Sequence, residues 1–249
     1  MDTSLVLVWR QLLRFSRTRS RLVSALCQPI FYLASLGFGL GSIIKPSTEI
    51  SYLQFLVPGI IGMSVLYPAL YSGGDLIWDR QFGYLKAVMV APVSRLSIMW
   101  GRTLAGATTT LIQTFLVVLA CLIVGARIPH LGRATIAVMF LVLIALLFTA
   151  LGTTIGSIVT DFQGFNLTMN FLVLPMFMFS GALYPLERAP KALQHLAAFD
   201  PFAYGVDGIR YGINGGPMHF GLPADLLVLC GTLGVSILIG TRLLSKGQY

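Results

Sequence analysis

Charged residues leave six long gaps in this 249-residue chain, and those gaps decide what it can fold into. They run about Leu22 to Ile44, Leu53 to Gly74, Thr103 to Ala126, Ala134 to Thr160, Asn166 to Tyr184 and Leu222 to Thr241. Each offers roughly the 20 apolar residues that a helix needs to cross a hydrocarbon core of about 30 Å. The sixth is the weakest, because Asp225 intrudes near its start. Backbone polar groups in lipid must be satisfied within the segment, which selects helices. Composition agrees: 56% of residues are hydrophobic and only 10% charged, against roughly 25% charged in a soluble domain. The expected fold is all-α, a polytopic membrane protein with six transmembrane helices. No repeat or low-complexity linker divides it, so residues 1–249 read as a single domain.

Basic residues assign the sides. Arg10, Arg14, Arg17, Arg19, Arg21, Arg80, Lys86, Arg95, Arg102, Arg242 and Lys246 face one way, against Lys45, Arg127, Arg133, Arg188, Lys191 and Arg210. The larger set belongs in the cytoplasm, so both termini are expected there. A net charge of +8 in a soluble chain would suggest nucleic acid. Here the cations cluster at the ends of apolar runs, where they orient helices, and the expected partner is membrane lipid. Over 1–21, Leu5, Val8, Trp9, Leu12 and Phe15 fall on one side of a helix and Arg10, Arg14, Arg17 and Arg21 on the other. That is the pattern of an interfacial amphipathic helix on an anionic surface, not of a cleavable signal.

The connections differ sharply in length. Lys45 to Tyr52 and Arg127 to Arg133 are short outer loops, and Asp161 to Phe165 is a tight inner turn. Residues 185–221 carry Pro185, Pro190, Pro201 and Pro217, and the stretch Ala192 to Phe199 is too short to span; a pair of short helices re-entering the outer leaflet is expected. Residues 75–97 form a charged cytoplasmic loop. Leu85, Val88 and Met89 sit at helical spacing, Asp79, Arg80 and Lys86 are available for a wetter face, and Pro92 stops the turn. So short a helix needs a surface to dock on. It reads either as an interfacial loop helix or as a docking knob for a soluble partner.

Several chemistries lack their residues. His130, His195 and His219 are scattered and no HExxH occurs, so no metal site is expected. Ser180, His195 and Asp200 have no strained elbow to make a triad. Cys27, Cys121 and Cys230 lie in three different apolar runs and read as packing residues. Gln113, Asn166 and Asn170 read as interhelical contacts, and Gly152 with Gly156 as a small-xxx-small packing face. The glycines Gly37, Gly39 and Gly41 thin the first span in the same sense. Asp75, Asp161 and Asp225 sit at span ends, away from where a mid-bilayer proton relay would need them. Asp75 and Asp79, four residues apart, share a helix face. Lys45, Lys86, Lys191 and Lys246 are followed by Pro, Ala, Ala and Gly, so the chain has no P-loop. It is not an enzyme alone and binds no cofactor directly; uphill transport would draw on a partner.

Two separated motifs carry a family resemblance. Trp78-Asp79-Arg80-Gln81-Phe82-Gly83-Tyr84-Leu85, then Lys86, then Ala91-Pro92-Val93-Ser94-Arg95, resembles the first cytoplasmic loop of ABC-2 type permeases. Phe179-Ser180-Gly181-Ala182-Leu183-Tyr184-Pro185-Leu186, then Pro190, Leu193, Pro201 and Arg210, is similar to that family's fifth span entering its outer re-entrant helices. Pro58-Gly59-Ile60-Ile61 opens the second span in the same manner. Gln81 departs from the family's usual glutamate, keeping a polar contact and removing a charge. The resemblance implies the permease subunit of an ATP-driven exporter in the inner (plasma) membrane of a bacterium. It implies a second permease protomer, identical or not, and two nucleotide-binding ATPase subunits that hold ATP and magnesium. The cargo implied is an amphipathic drug, lipid or lipid-linked glycan. Residues 78–95 would couple to the ATPase, and Met176, Phe177, Phe179, Ser180, Gly181 and Pro185 would form an outer gate. A membrane anchor for an ATPase, or a member with import or ion activity, would keep the same motifs.

Overall fold

The computed structural model describes residues 3–16, 27–40, 51–84, 94–126 and 131–246. Every regular element among them is helical. Helix α1 is Thr3–Ser16. Helix α2 covers 27–40, and its last eight residues, Leu33–Leu40, wind as a π-helix. Then come α3 (Tyr52–Tyr71) and α4 (Gly74–Gln81), separated only by Ser72 and Gly73. Helices α5 (Arg95–Val124), α6 (Leu131–Ile158) and α7 (Phe162–Phe179) follow. A 3-10 turn at Leu186–Arg188 leads to α8 (Lys191–Phe199), α9 (Pro201–Asn214) and α10 (Leu222–Lys246).

Five stretches are long and apolar enough to cross a membrane: Tyr52–Gln81, Arg95–Val124, Gly132–Ile158, Phe162–Phe179 and Leu222–Ser245. They occupy the second to sixth expected spans. Of the first, only 27–40 is described, and most of the Lys45 to Tyr52 and Arg127 to Arg133 loops lies outside the described residues.

The ends differ from the charge-gap reading for local reasons. α5 begins eight residues before Thr103 because Ser94 caps it, its hydroxyl accepting from the Ser97 N–H at 3.1 Å. Likewise Asp161 to Phe165 is no turn, because the helix already starts at Phe162. Asp161 caps α7, accepting from the Gly164 N–H at 2.6 Å, and Gly181, at φ +74°, turns the chain just past Phe179. The fifth span therefore sits about one helical turn earlier than Asn166 to Tyr184.

Helix α6 is the axis of the bundle, packed against α3, α4, α5, α9 and α10. Its closest contacts are backbone to backbone. A Cβ on Gly73 would collide with the Gly152 carbonyl, and one on Gly156 with the Gly73 carbonyl, so the expected small-xxx-small face of α6 is what admits the α3–α4 joint. On the other side a Cβ at Gly212 of α9 would come within 2.6 Å of the Ala137 nitrogen. The core holds Phe140, Phe148, Phe165, Phe177 and Phe202, all fully buried.

Two short helices, α8 and α9, lie between α7 and α10, and they differ in burial. Helix α8 buries only Ala197, whereas α9 buries everything from Phe202 to Ile209. Gln54, near the start of α3, exchanges hydrogen bonds with Asn214 at the end of α9 (3.1 and 3.0 Å). Tyr71 closes α3 about 25 Å away, so the bundle has an α9 end and, beyond Tyr71, an α1 end. At the latter, the Tyr71 hydroxyl donates to Asn170 at 3.1 Å.

Candidate functional site

The sequence places Asp75 and Asp79 one turn apart on α4, and Arg10 and Arg14 one turn apart on α1. Equal spacing lets two helices pair twice. The Arg10 Nη2 donates to Asp79 Oδ1 at 2.6 Å, and Arg14 Nη1 lies 3.3 Å from Asp75 Oδ1. Gln11 Nε2 donates to Asp75 Oδ2 at 2.7 Å. From α5, Arg102 Nη2 donates to the second oxygen of Asp79 at 2.8 Å. One buried carboxylate thus joins three helices. The Arg10 guanidinium also lies over the Tyr84 ring, 3.8 Å from its centroid. Burial works to lower the Arg10 pKa, but the Asp79 hydrogen bond and charge, with Tyr84, leave it above its ordinary value.

This overturns two expectations. Asp79 lies on no wet face; it is 5% exposed. The arginines of α1 turn into the protein instead of toward lipid headgroups. What α1 presents outward is apolar: Val6, Trp9 and Leu13 are 45%, 62% and 43% exposed. A cavity of about 30 Å³ remains among Arg10, Gln11, Ser72, Asp75, Asp79 and Arg102, enough for a water or two and too small for a headgroup.

Arg80 points the other way around α4. Its Nη2 and Nη1 donate to the Ser157 and Val159 carbonyls at 2.9 and 3.2 Å, satisfying the free carbonyls at the end of α6. Beyond these anchors α4 becomes exposed. Trp78 stacks on Phe82 (5.7 Å) and leans on Phe162 (5.3 Å), and Phe82 is 78% exposed. Gln81 is exposed, and Gly83 takes φ +73° with open space where a side chain would be. Leu85, Lys86 and Pro92, with Val88 and Met89, lie outside the described residues. Ser94 and Arg95 start α5. Sequence reasoning used Arg102 only as a topology marker, and Arg10 as that and as part of a headgroup-facing strip. The signal that assigns them is the matched spacing with two acids that need partners.

The second predicted group lies at the α9 end. Phe177 is buried within the chain, edge-on to Tyr32 of α2 at 6.2 Å, while Met176 and Phe179 are half-buried. Ser180 is buried; its hydroxyl donates to the Phe177 carbonyl and accepts from the Ala182 N–H. Pro185 leads into the 3-10 turn. Arg210 Nη2 donates to the Gly181 carbonyl at 2.8 Å, and its guanidinium stacks over Phe55 at 4.3 Å, tying α9 to the exit of α7. Ser180 and Asp200, imagined as triad members, are each engaged locally, and His195 is exposed. Among the described residues no group of three or more His, Cys, Asp or Glu could hold a metal ion.

Comparison with known proteins places this architecture. The profile of the family described as ABC-2 type transporter matches residues 4–214. The "Putative transport permease ycf38" of Porphyra purpurea is 34% identical over 213 residues, 82% of this chain and 72% of that protein. The "Probable doxorubicin resistance ABC transporter permease protein DrrC" of Mycobacterium tuberculosis is 28% identical over 241 residues, 94% of this chain and 86% of that one. The "Inner membrane transport permease YadH" of Escherichia coli is 29% identical over 212 residues, covering 84% and 82%. This chain belongs to the ABC-2 type transporter family and is a transport permease component of the membrane.

Proposed function

We propose that the chain is the membrane-spanning subunit of an ATP-driven exporter, and that the α4 tip is where separate ATPase subunits push on it. The observation that carries this reading is a lever clamped at its base and bare at its tip. Asp75, Asp79 and Arg80 tie α4 to α1, α5 and α6, while Phe82, stacked on Trp78, stands exposed. A rigid base lets a small displacement at residues 82–95 move the bundle as a body. The energy source is ATP with magnesium, held in the partner.

In this reading α2 is part of a sixth span, both termini are cytoplasmic, and 185–221 lies outside. A second protomer seats along α2 and α7, where Phe31, Leu167, Phe171 and Leu174 are 73%, 67%, 84% and 52% exposed. The cargo is amphipathic, a class favoured by the doxorubicin resistance named for one relative.

The test is reconstitution with the ATPase and measurement of ATP turnover stimulated by candidate amphiphiles. Gly83→Pro forces φ from +73° to about −65°; it should keep basal hydrolysis and lose stimulation. Phe82→Ala, which touches none of the clamp, should weaken ATPase association. Equal stimulation in wild type and Gly83→Pro would overturn the coupling role, and absence of stimulation by any amphiphile would favour a mere anchor.

A further inference from the structure

The bonds at the base of α4 run to α1, α5 and α6. Helix α7 packs on α3, α4, α8 and α9, and the contact it makes with α4 is aromatic. Trp78 and Phe82 stand four residues apart on α4, and Phe162 and Phe165 three apart on α7, so each pair shares a helix face. The two faces meet. Phe82 lies nearly parallel to Trp78, with 9° between the ring planes, and Trp78 lies 5.3 Å from Phe162 at a tilt of 52°. Phe162 stacks on Phe165 at 6.5 Å, and Phe165 meets Tyr71 of α3 edge-on at 6.3 Å. Exposure falls along the row, from the open ring of Phe82 to that of Phe165, which is fully buried. Gly74, one turn before Trp78, makes the seat. A Cβ there would stand 3.2 Å from both Phe162 Cε2 and Phe165 Cε1, so these two rings lie directly on the backbone of α4.

We propose that this row is a strut, passing a displacement of the α4 tip to α7 through Trp78 and Phe162, with Phe162 as the positioning residue. The inference rests on the reading of the α4 tip as the place where an ATPase pushes, and it names a span that receives the push. Close-packed rings resist compression as an organic crystal does, so a shift of α4 toward α7 meets no slack. Clamped to α1, α5 and α6, α4 carries those helices with it; the strut adds α7 to the body that moves. Contact is not coupling, so the signal has to be measured at α7 itself.

The test uses the full chain with its ATPase in nanodiscs, in a background freed of Cys27, Cys121 and Cys230. An environment-sensitive fluorophore is placed on Thr168→Cys, an exposed position of α7. Addition of ATP, magnesium and vanadate should shift its emission. Phe162→Leu, which leaves a gap behind Trp78, should lose most of that shift while ATPase association and melting temperature hold. Phe162→Tyr keeps the ring and should keep the shift. If Phe162→Leu melts early, Phe162→Met, flexible and closer in volume, takes its place with the same loss expected. Combined with Trp78→Leu at saturating ATPase, Phe162→Leu should cost no more than the larger single loss, as for two members of one link.

A shift unaltered in Phe162→Leu and Phe162→Met overturns the proposal, as does a Phe162→Tyr loss equal to that of Phe162→Leu. Weakened ATPase association in Phe162→Leu overturns it too, by making Phe162 a docking residue. No shift in the parent, with association intact, does the same. Because the signal needs no amphiphile, the two readings fail separately. A strut-dependent shift without amphiphile-stimulated turnover counts against export alone, and stimulation with a shift indifferent to Phe162 counts against the strut alone.

Discussion

The two ends of the bundle treat buried carboxylates in opposite ways. At the α1 end Asp79 receives two arginines, one on each oxygen, and Asp75 receives Arg14 and Gln11. At the α9 end Asp225 receives nothing and Asp200 leaves one oxygen unpartnered. The first arrangement sets each acid against basic or amide donors from neighbouring helices, and it fixes those helices by electrostatics. The second leaves carboxyl oxygens buried without a donor. A chain built this way is tied down where α4 meets its neighbours and pH-sensitive at Asp200, where α9 begins.

The contrast can be broken most severely at its centre. Asp79→Ala strands Arg102, whose side chain is 10% exposed, and Arg10 beside it. Loss of a shared buried partner should lower stability by about 3 kcal/mol in thermal unfolding of the purified protein. At the other end the same kind of change should do the reverse. Asp200 caps α9 through the Phe202 N–H, and burial pushes its pKa up to about 7. A raised carboxyl makes stability fall as pH climbs from the ordinary carboxylate range toward 7. Asparagine caps equally well and carries no charge. Asp200→Asn should therefore remove that fall and stand about 1–2 kcal/mol above wild type at pH 8, read from melts at matched pH. The smallest effect belongs to Arg14, 45% exposed on its side of the clamp. Arg14→Ala should change stability by less than about 0.5 kcal/mol; a loss near that of Asp79→Ala would mean that α1 is held by both pairs alike.

The spans were legible because hydropathy is a local property: α3, α5, α6 and α10 fall where the charge gaps lie. Their ends were less so, since a cap such as Ser94 or Asp161 extends a helix into polar sequence that hydropathy reads as loop. The α3–α4 joint misled for a further reason. Gly73 and Gly74 read as the end of a span, yet Gly73 is the residue that lets α6 approach, and the helix resumes beyond it. The clamp was half legible. The paired spacing of Asp75 with Asp79 was visible, but Arg10 is 69 residues from Asp79 in sequence, and nothing local says which face of α1 turns inward. The aromatic tip at Trp78 and Phe82 was named from a motif, and the structure adds that the two rings stack, Trp78 leaning on Phe162 while Phe82 is left exposed.

The orientation of α1 also fixes the solvent it requires. With its guanidiniums spent on interior acids, the strip of Val6, Trp9 and Leu13 has only hydrocarbon or another apolar surface to rest against. Removing the first sixteen residues would thus expose two kinds of misfit together. Asp75 and Asp79 would lose their α1 donors, and the flank of α5 that α1 covers would be laid open to lipid. The amino terminus is a lining with one side dressed for protein and the other for the bilayer.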